Sequence, residues 1–191
     1  MTILLYLVPG TPAWISLLDE FKKLVNSKGF LKLTDDVFCF EIIKLIFPQF
    51  KNIEIYNNLN NFAKKNINDL DFIFLISLMI IDGSDNAEYF IYKFNFSKKD
   101  QKRILFLNDF FSTKINSKTF SKKNLQKVLY FNGKQSLFDL LYFQIFRSKK
   151  VDKELLETIE LFKDKEPPIL PITANTLMME YNIPEGKKLG V

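Results

Sequence analysis

Three places in this sequence carry residues at spacings that chemistry uses. Asp69 and Asp71 form an Asp-x-Asp pair, the arrangement two-metal nucleotidyl transfer needs when both carboxylates share one face of a strand. Here the pair precedes the apolar run Phe72 to Ile81. At a helix start, positions i and i+2 diverge and acids favour the positive end of the dipole, so a helix-start role is expected. Gly133-Lys134 invites a P-loop reading, but Val128 stands where the earlier glycine belongs and Gln135 replaces the required Ser or Thr. Asn132-Gly133 reads instead as a helix stop and turn. Cys39 lies in the apolar stretch Val37 to Phe40 of a chain without histidine. No His-activated nucleophile, Ser-His-Asp triad or His-containing zinc site is possible, and one cysteine makes neither an internal disulfide nor a thiolate cluster. Cys39 is expected to be a small buried hydrophobe of a reducing compartment.

Charge supplies the remaining signal. The 191 residues carry a formal charge of +5, which favours anionic partners. Between Ser97 and Lys127 stand Lys98, Lys99, Lys102, Arg103, Lys114, Lys118, Lys122, Lys123 and Lys127, against Asp100 and Asp109 alone. Such a cluster either lies along a phosphate backbone, giving salt-sensitive affinity, or forms an ordinary solvated helix face. Near the C-terminus, Thr173 can cap a short helix, Asn182 can end it, and Pro184 suits the first turn of a second. Gly186 would let a phosphate approach the free amides of that turn, with Lys187 and Lys188 adding charge. The alternative for this segment is a C-terminal clasp.

The elements that would position these groups read as helices. Apolar residues recur at three- and four-residue spacing through most of the chain, and 47% hydrophobic with 26% charged residues is a soluble, folding balance. Helices are expected from an Asp35 cap to about Phe47, from about Ile53 to Lys65, from an Asn68 cap to about Asp82, and from Ser84 to about Tyr92. Ser97 with Asp100 resembles a capping box opening the next helix. Further helices are expected over Ser121 to Phe131, Gln135 to Arg147 and Val151 to Lys163. Short connectors suggest antiparallel neighbours. Most of the 21 phenylalanines are expected in the core, with Trp14 and Tyr130 unplaced. Pro167, Pro168 and Pro171 enforce an extended segment after the body. Phe72 to Ile81 is too short to span a bilayer, and Ile3 to Val8 lacks a preceding Lys or Arg and runs into Pro9-Gly10, which argues against an export signal. A cytoplasmic protein without membrane contact is expected.

The segment from Pro168 to Gly190 resembles the C-terminal tail of bacterial class II tRNA nucleotidyltransferases, the CCA-adding enzymes, and of the related poly(A) polymerases. Pro168, Pro171, Leu177, Ile183, Gly186, Leu189 and Gly190 fit that signature, while Ala174, Thr176 and Asn182 stand where glycine, aspartate and glycine are usual. Lys28-Gly29-Phe30-Leu31 with Leu45-Ile46-Phe47-Pro48 resembles the neck and body passage, and Phe94 to Leu105 a helix start of the body. The resemblance implies an all-α, irregular helical array with a small helical tail: residues 1–24 match poorly, 25–166 form neck and body, and 167–191 form the tail. It implies tRNA or another RNA as partner, held at its acceptor arm by Gly186, Lys187, Lys188, Lys98, Lys99, Lys102 and Arg103. Nucleotide transfer would belong to a catalytic head, in a separate polypeptide or absent. Accordingly no catalytic residue, metal ligand or cofactor is expected in this chain, magnesium being expected with the head alone. A helical protein-interaction module, or a degenerate fragment without activity, is the alternative.

Overall fold

The computed structural model describes residues 13–27, 30, 35–113, 119–167, 174–181 and 184. The chain is all-α, and every regular element among the described residues is helical. The order is α1 (Ala13–Val25), α2 (Val37–Ile46), a 3-10 turn (Ile53–Asn58), α3 (Asn61–Asn66), a second 3-10 turn (Ile67–Asp69), α4 (Phe72–Ile80), α5 (Asn86–Lys93), α6 (Lys98–Ser112), α7 (Lys122–Arg147), α8 (Lys153–Lys163) and α9 (Ala174–Tyr181). None of these helices is long and apolar enough to cross a membrane.

The fold is organised round α4, whose sequence is apolar on all sides and which is buried on all sides. Every residue from Phe72 to Ile80 except Ile73 is buried, and α1, the first 3-10 turn, α5, α6 and α7 all pack on it. A helix enclosed this way leaves its last carbonyls out of reach of water, so side chains must satisfy them. Asn86 Nδ2 donates to Ile80 O at 2.7 Å and to Gln49 O at 2.8 Å. Ile81 O accepts from Asn52 Nδ2 at 2.6 Å and from Arg147 Nη1 at 3.0 Å. The Arg147 guanidinium lies 4.4 Å from the Phe111 ring centroid, so the same side chain that closes α4 also joins α6 to α7. Aromatic contacts continue the core: Phe47 stacks on Phe50 at 4.7 Å, Phe50 meets Phe90 at 5.6 Å, and Phe90 meets Phe94 at 4.5 Å. Leu18, Phe21 and Val25 of α1 belong to this same core.

Several helix boundaries differ from expectation, each for a local reason. Asp36, not Asp35, caps α2 by accepting from Cys39 N at 3.0 Å. Asp71, not Asn68, caps α4 by accepting from Phe74 N at 3.0 Å. The helix expected over Ile53 to Lys65 is a 3-10 turn and a separate α3, because Asn60 turns extended between them. Its Oδ1 accepts from Ala63 N at 2.9 Å, while its Nδ2 donates to Ile145 O and Ser148 O at the end of α7. Ser84 precedes α5 rather than opening it: its hydroxyl accepts from Asn86 N and donates to Asp82. Gly133 breaks α7 as expected, with φ 81° and ψ 173° inside an otherwise helical run. Cys39 is half-buried rather than in the core.

Candidate nucleic-acid interface

The lysine-rich surface belongs to α6 and the first half of α7. Ser97 caps α6 from the expected position: its hydroxyl accepts from Asp100 N at 3.2 Å and donates to Asp100 Oδ2 at 2.6 Å. Burial of Ile104, Leu107 and Asn108 turns the opposite face outward, exposing Lys98, Lys99 and Lys102. After the turn, Leu125 and Leu129 face the core, leaving Lys122, Lys123, Gln126 and Lys127 exposed. Rings of Phe110 and Phe120 lie 5.9 Å apart, and Arg103 bonds Asp139 just beyond the kink. The segment Lys122 to Asn132 therefore runs back along α6 toward its start.

This surface gathers cations at the starts of two helices. Lys98 and Lys99 occupy the first turn of α6, and Lys122 and Lys123 the first turn of α7. Ammonium groups there oppose the helix dipole, and Lys98 with Lys102 repel as an i, i+4 pair; each such term costs a few tenths of a kcal/mol, roughly. Among the described residues no ion pair engages Lys98, Lys99, Lys102, Lys122, Lys123 or Lys127. The acid nearest in sequence to the first three, Asp100, is held by Ser97 instead. An external anion would relieve all of these costs at once.

Arg103 is placed differently from its lysine neighbours. Its Nε and Nη2 bond the two carboxylate oxygens of Asp139, the second at 2.8 Å, and its Nη1 donates to Asp71 Oδ2 at 2.6 Å. Gln135 Nε2 adds a bond to Asp139 Oδ1 at 2.9 Å. Asp139 is 2% exposed, and burial pushes its carboxyl above the usual range, with Arg103 and Gln135 offsetting part of that rise. Burial works to lower the Arg103 pKa, but bonds and charge from Asp139 and then Asp71 outweigh it and hold the guanidinium above its ordinary value. The two directions agree physically, since one guanidinium serves two carboxylates. Arg103 thus braces α4, α6 and α7, while the three lysines face solvent.

The same cluster fixes the Asp-x-Asp pair. Asp71 directs one oxygen to the α4 cap and the other to Arg103, whereas Asp69 closes the second 3-10 turn. Among the described residues no group of three His, Cys, Asp or Glu side chains is placed to hold a metal ion. Gly186, Lys187, Lys188, Lys114 and Lys118 lie outside the described residues, as does the Trp14 side chain.

Residue types alone missed one feature. Tyr130 and Phe131 are exposed at the end of the first half of α7, their rings edge to face at 4.9 Å. The exposed side of that half-helix holds Lys122, Gln126 and Lys127, so both rings fall on its lysine side, a signal the 3.6-residue period does contain. In comparisons with known proteins, no family model, curated protein or solved structure matches the chain.

Proposed function

We propose that this chain is the RNA-gripping helical part of a tRNA nucleotidyltransferase or poly(A) polymerase. In this reading it holds the acceptor arm of tRNA while a catalytic head outside these 191 residues, with its own magnesium, adds nucleotides to the 3′ end. The observation that supports it is the run of unpaired lysines along the α6–α7 hairpin. Fifteen residues of α6 extend roughly 22 Å at 1.5 Å per residue, enough to follow several phosphates of one strand. Lysines placed against their own helix dipoles, with no internal partner, serve an external polyanion better than they serve the fold. Lys187 and Lys188 beside Gly186 would add a second grip from the tail.

The test is tRNA binding by filter or gel assay across a salt series. If six lysines meet phosphates, log affinity falls against log salt with a slope of about −4 to −5. Changing Lys98, Lys99 and Lys102 together to Gln should remove roughly 2 to 3 units of that slope, and Lys187→Gln with Lys188→Gln should weaken binding further. Absence of binding above non-specific background at low salt would discard the reading.

A second reading, a protein-interaction module, is favoured by α2. Val37, Phe38 and Leu45 are each at least three-quarters exposed, and with Ile42 and Ile46 they expose five apolar side chains around Glu41 on one side of the helix. Phe38→Ser with Leu45→Ser would abolish association with a protein partner and leave tRNA affinity unchanged, whereas the lysine substitutions would do the reverse.

A further inference from the structure

Phe131 leaves 71% of its surface to solvent and Tyr130 leaves 39%, although both follow directly on the buried Leu129. Scattered exposed apolar residues need no explanation, but this pair is adjacent, mutually oriented at 84°, and set in a particular electrostatic surrounding. Lys127 lies one helical turn before Phe131 and Lys123 one turn before that, so all three share a face. From Thr119 to Phe138 the chain holds Lys122, Lys123, Lys127 and Lys134 and neither Asp nor Glu. Lys134 is taken by Glu166 at 2.9 Å, while Lys123 and Lys127 are unpaired among the described residues. The patch therefore has a composition that a protein partner's apolar surface would match poorly, because the lysines would have to be desolvated without compensation. Nucleic acid matches both halves of it: phosphates for the lysines and flat π faces for the rings.

We infer that Tyr130 and Phe131 form a stacking platform for one or two unpaired bases of a bound RNA, with Lys123 and Lys127 holding the adjoining phosphates. The inference deepens the RNA-binding reading and rests on it. Duplex RNA keeps its bases stacked on each other and offers this platform nothing, so the site selects a single-stranded stretch.

The experiment measures binding of the full chain, by fluorescence anisotropy at low salt, to an oligoadenylate of about 12 nucleotides, to the same length of duplex RNA, and to an abasic oligonucleotide of that length. Tyr130→Ala with Phe131→Ala should weaken oligoadenylate binding about tenfold or more and leave duplex affinity within about twofold. Tyr130→Phe with Phe131→Tyr should retain the wild-type affinity. Lys123→Gln with Lys127→Gln should weaken both ligands and lower the salt slope. Wild-type protein should bind the abasic strand weakly, as the alanine variant binds oligoadenylate; this arm decides the matter without any variant, should the alanine variant fail to fold. Unchanged oligoadenylate binding by the alanine variant, or equal affinity for abasic and normal strands, overturns the platform while leaving the RNA-binding reading standing. Failure of wild-type protein to bind any of the three overturns both. Unchanged RNA affinity with a dimer-to-monomer shift in sedimentation would assign the patch to a second copy of the chain instead.

Discussion

Replacing Arg103 by Met isolates the energetics of the ion cluster. Methionine keeps the stem's volume and removes the guanidinium, leaving Asp139 at 2% exposure with Gln135 as its remaining partner. Removing one member of a buried pair costs about 3–5 kcal/mol. The carboxylate limits that cost by taking a proton: at pH 7, protonating a group whose ordinary pKa is about 3.9 requires about 4 kcal/mol. The loss at pH 7 is therefore expected at about 3–4 kcal/mol, of which the half-exposed Asp71 contributes under about 1 kcal/mol. With a urea m-value of about 2 kcal/mol/M, the unfolding midpoint should fall by roughly 1.5–2 M at unchanged slope. The pH dependence carries the mechanism. Loss of Arg103 lifts the folded-state pKa of Asp139 further above its already raised wild-type value, so the gap between the two proteins grows as pH rises from the wild-type value to the variant's and levels off above it. The gap between wild type and variant should thus shrink toward pH 4. Adding Asp139→Leu should recover most of the loss, since an apolar pair needs no solvation. A gap under about 1 kcal/mol at pH 7, or one of equal size at pH 4.5, would refute the reasoning.

Other expectations are simpler to check. Gly133→Ala meets no steric obstacle, yet φ +81° with ψ 173° is almost closed to L residues, so a melting experiment should show a loss of about 1–3 kcal/mol from backbone strain alone. Asn60→Ala removes the cap of α3 and both bonds to the end of α7; about 2–3 kcal/mol should be lost in chemical denaturation. Ser97→Ala removes the side-chain cap of α6 and should cost about 1 kcal/mol while leaving the lysines beside it exposed, so that RNA affinity measured under folding conditions stays close to wild type.

Features fixed by a local hydrogen bond or a local φ angle were readable along the chain to within a few residues, the caps of α2 and α4 falling on Asp36 and Asp71 rather than on the nearby Asp35 and Asn68. Ser97 with Asp100, the break at Gly133 and the apolar run that became α4 all involve residues within a few positions of one another. What escaped depends on partners far away in sequence. Asn60 ends the expected helix early because its amide answers carbonyls 85 and 88 positions later, and nothing near Asn60 announces that demand. Arg147 is drawn to the buried carbonyl of Ile81 from 66 positions away, and Asn86 joins Ile80 to Gln49, 37 positions before it. Arg103 looked like one more cation in a basic run, and the residue that sets it apart, Asp139, lies 36 positions on. Phe131 looked like core because phenylalanine usually is; its helical phase places it with the lysines. The lysines of α6 and α7 were legible as a cluster, but their lack of internal partners became visible in three dimensions alone.

The enclosure of α4 has a bearing on how this protein comes apart. Helices far apart in sequence, α1 (Ala13–Val25) and α7 (Lys122–Arg147), share in covering a single apolar rod whose carbonyl end is stoppered by Asn52, Asn86 and Arg147. Cutting away α1 or α7 bares the rod to solvent, so neither helix can be removed without loss of the core. A protease that removes either helix should consequently release the whole core in one step, the signature of a unit in which segments remote in sequence hold one middle.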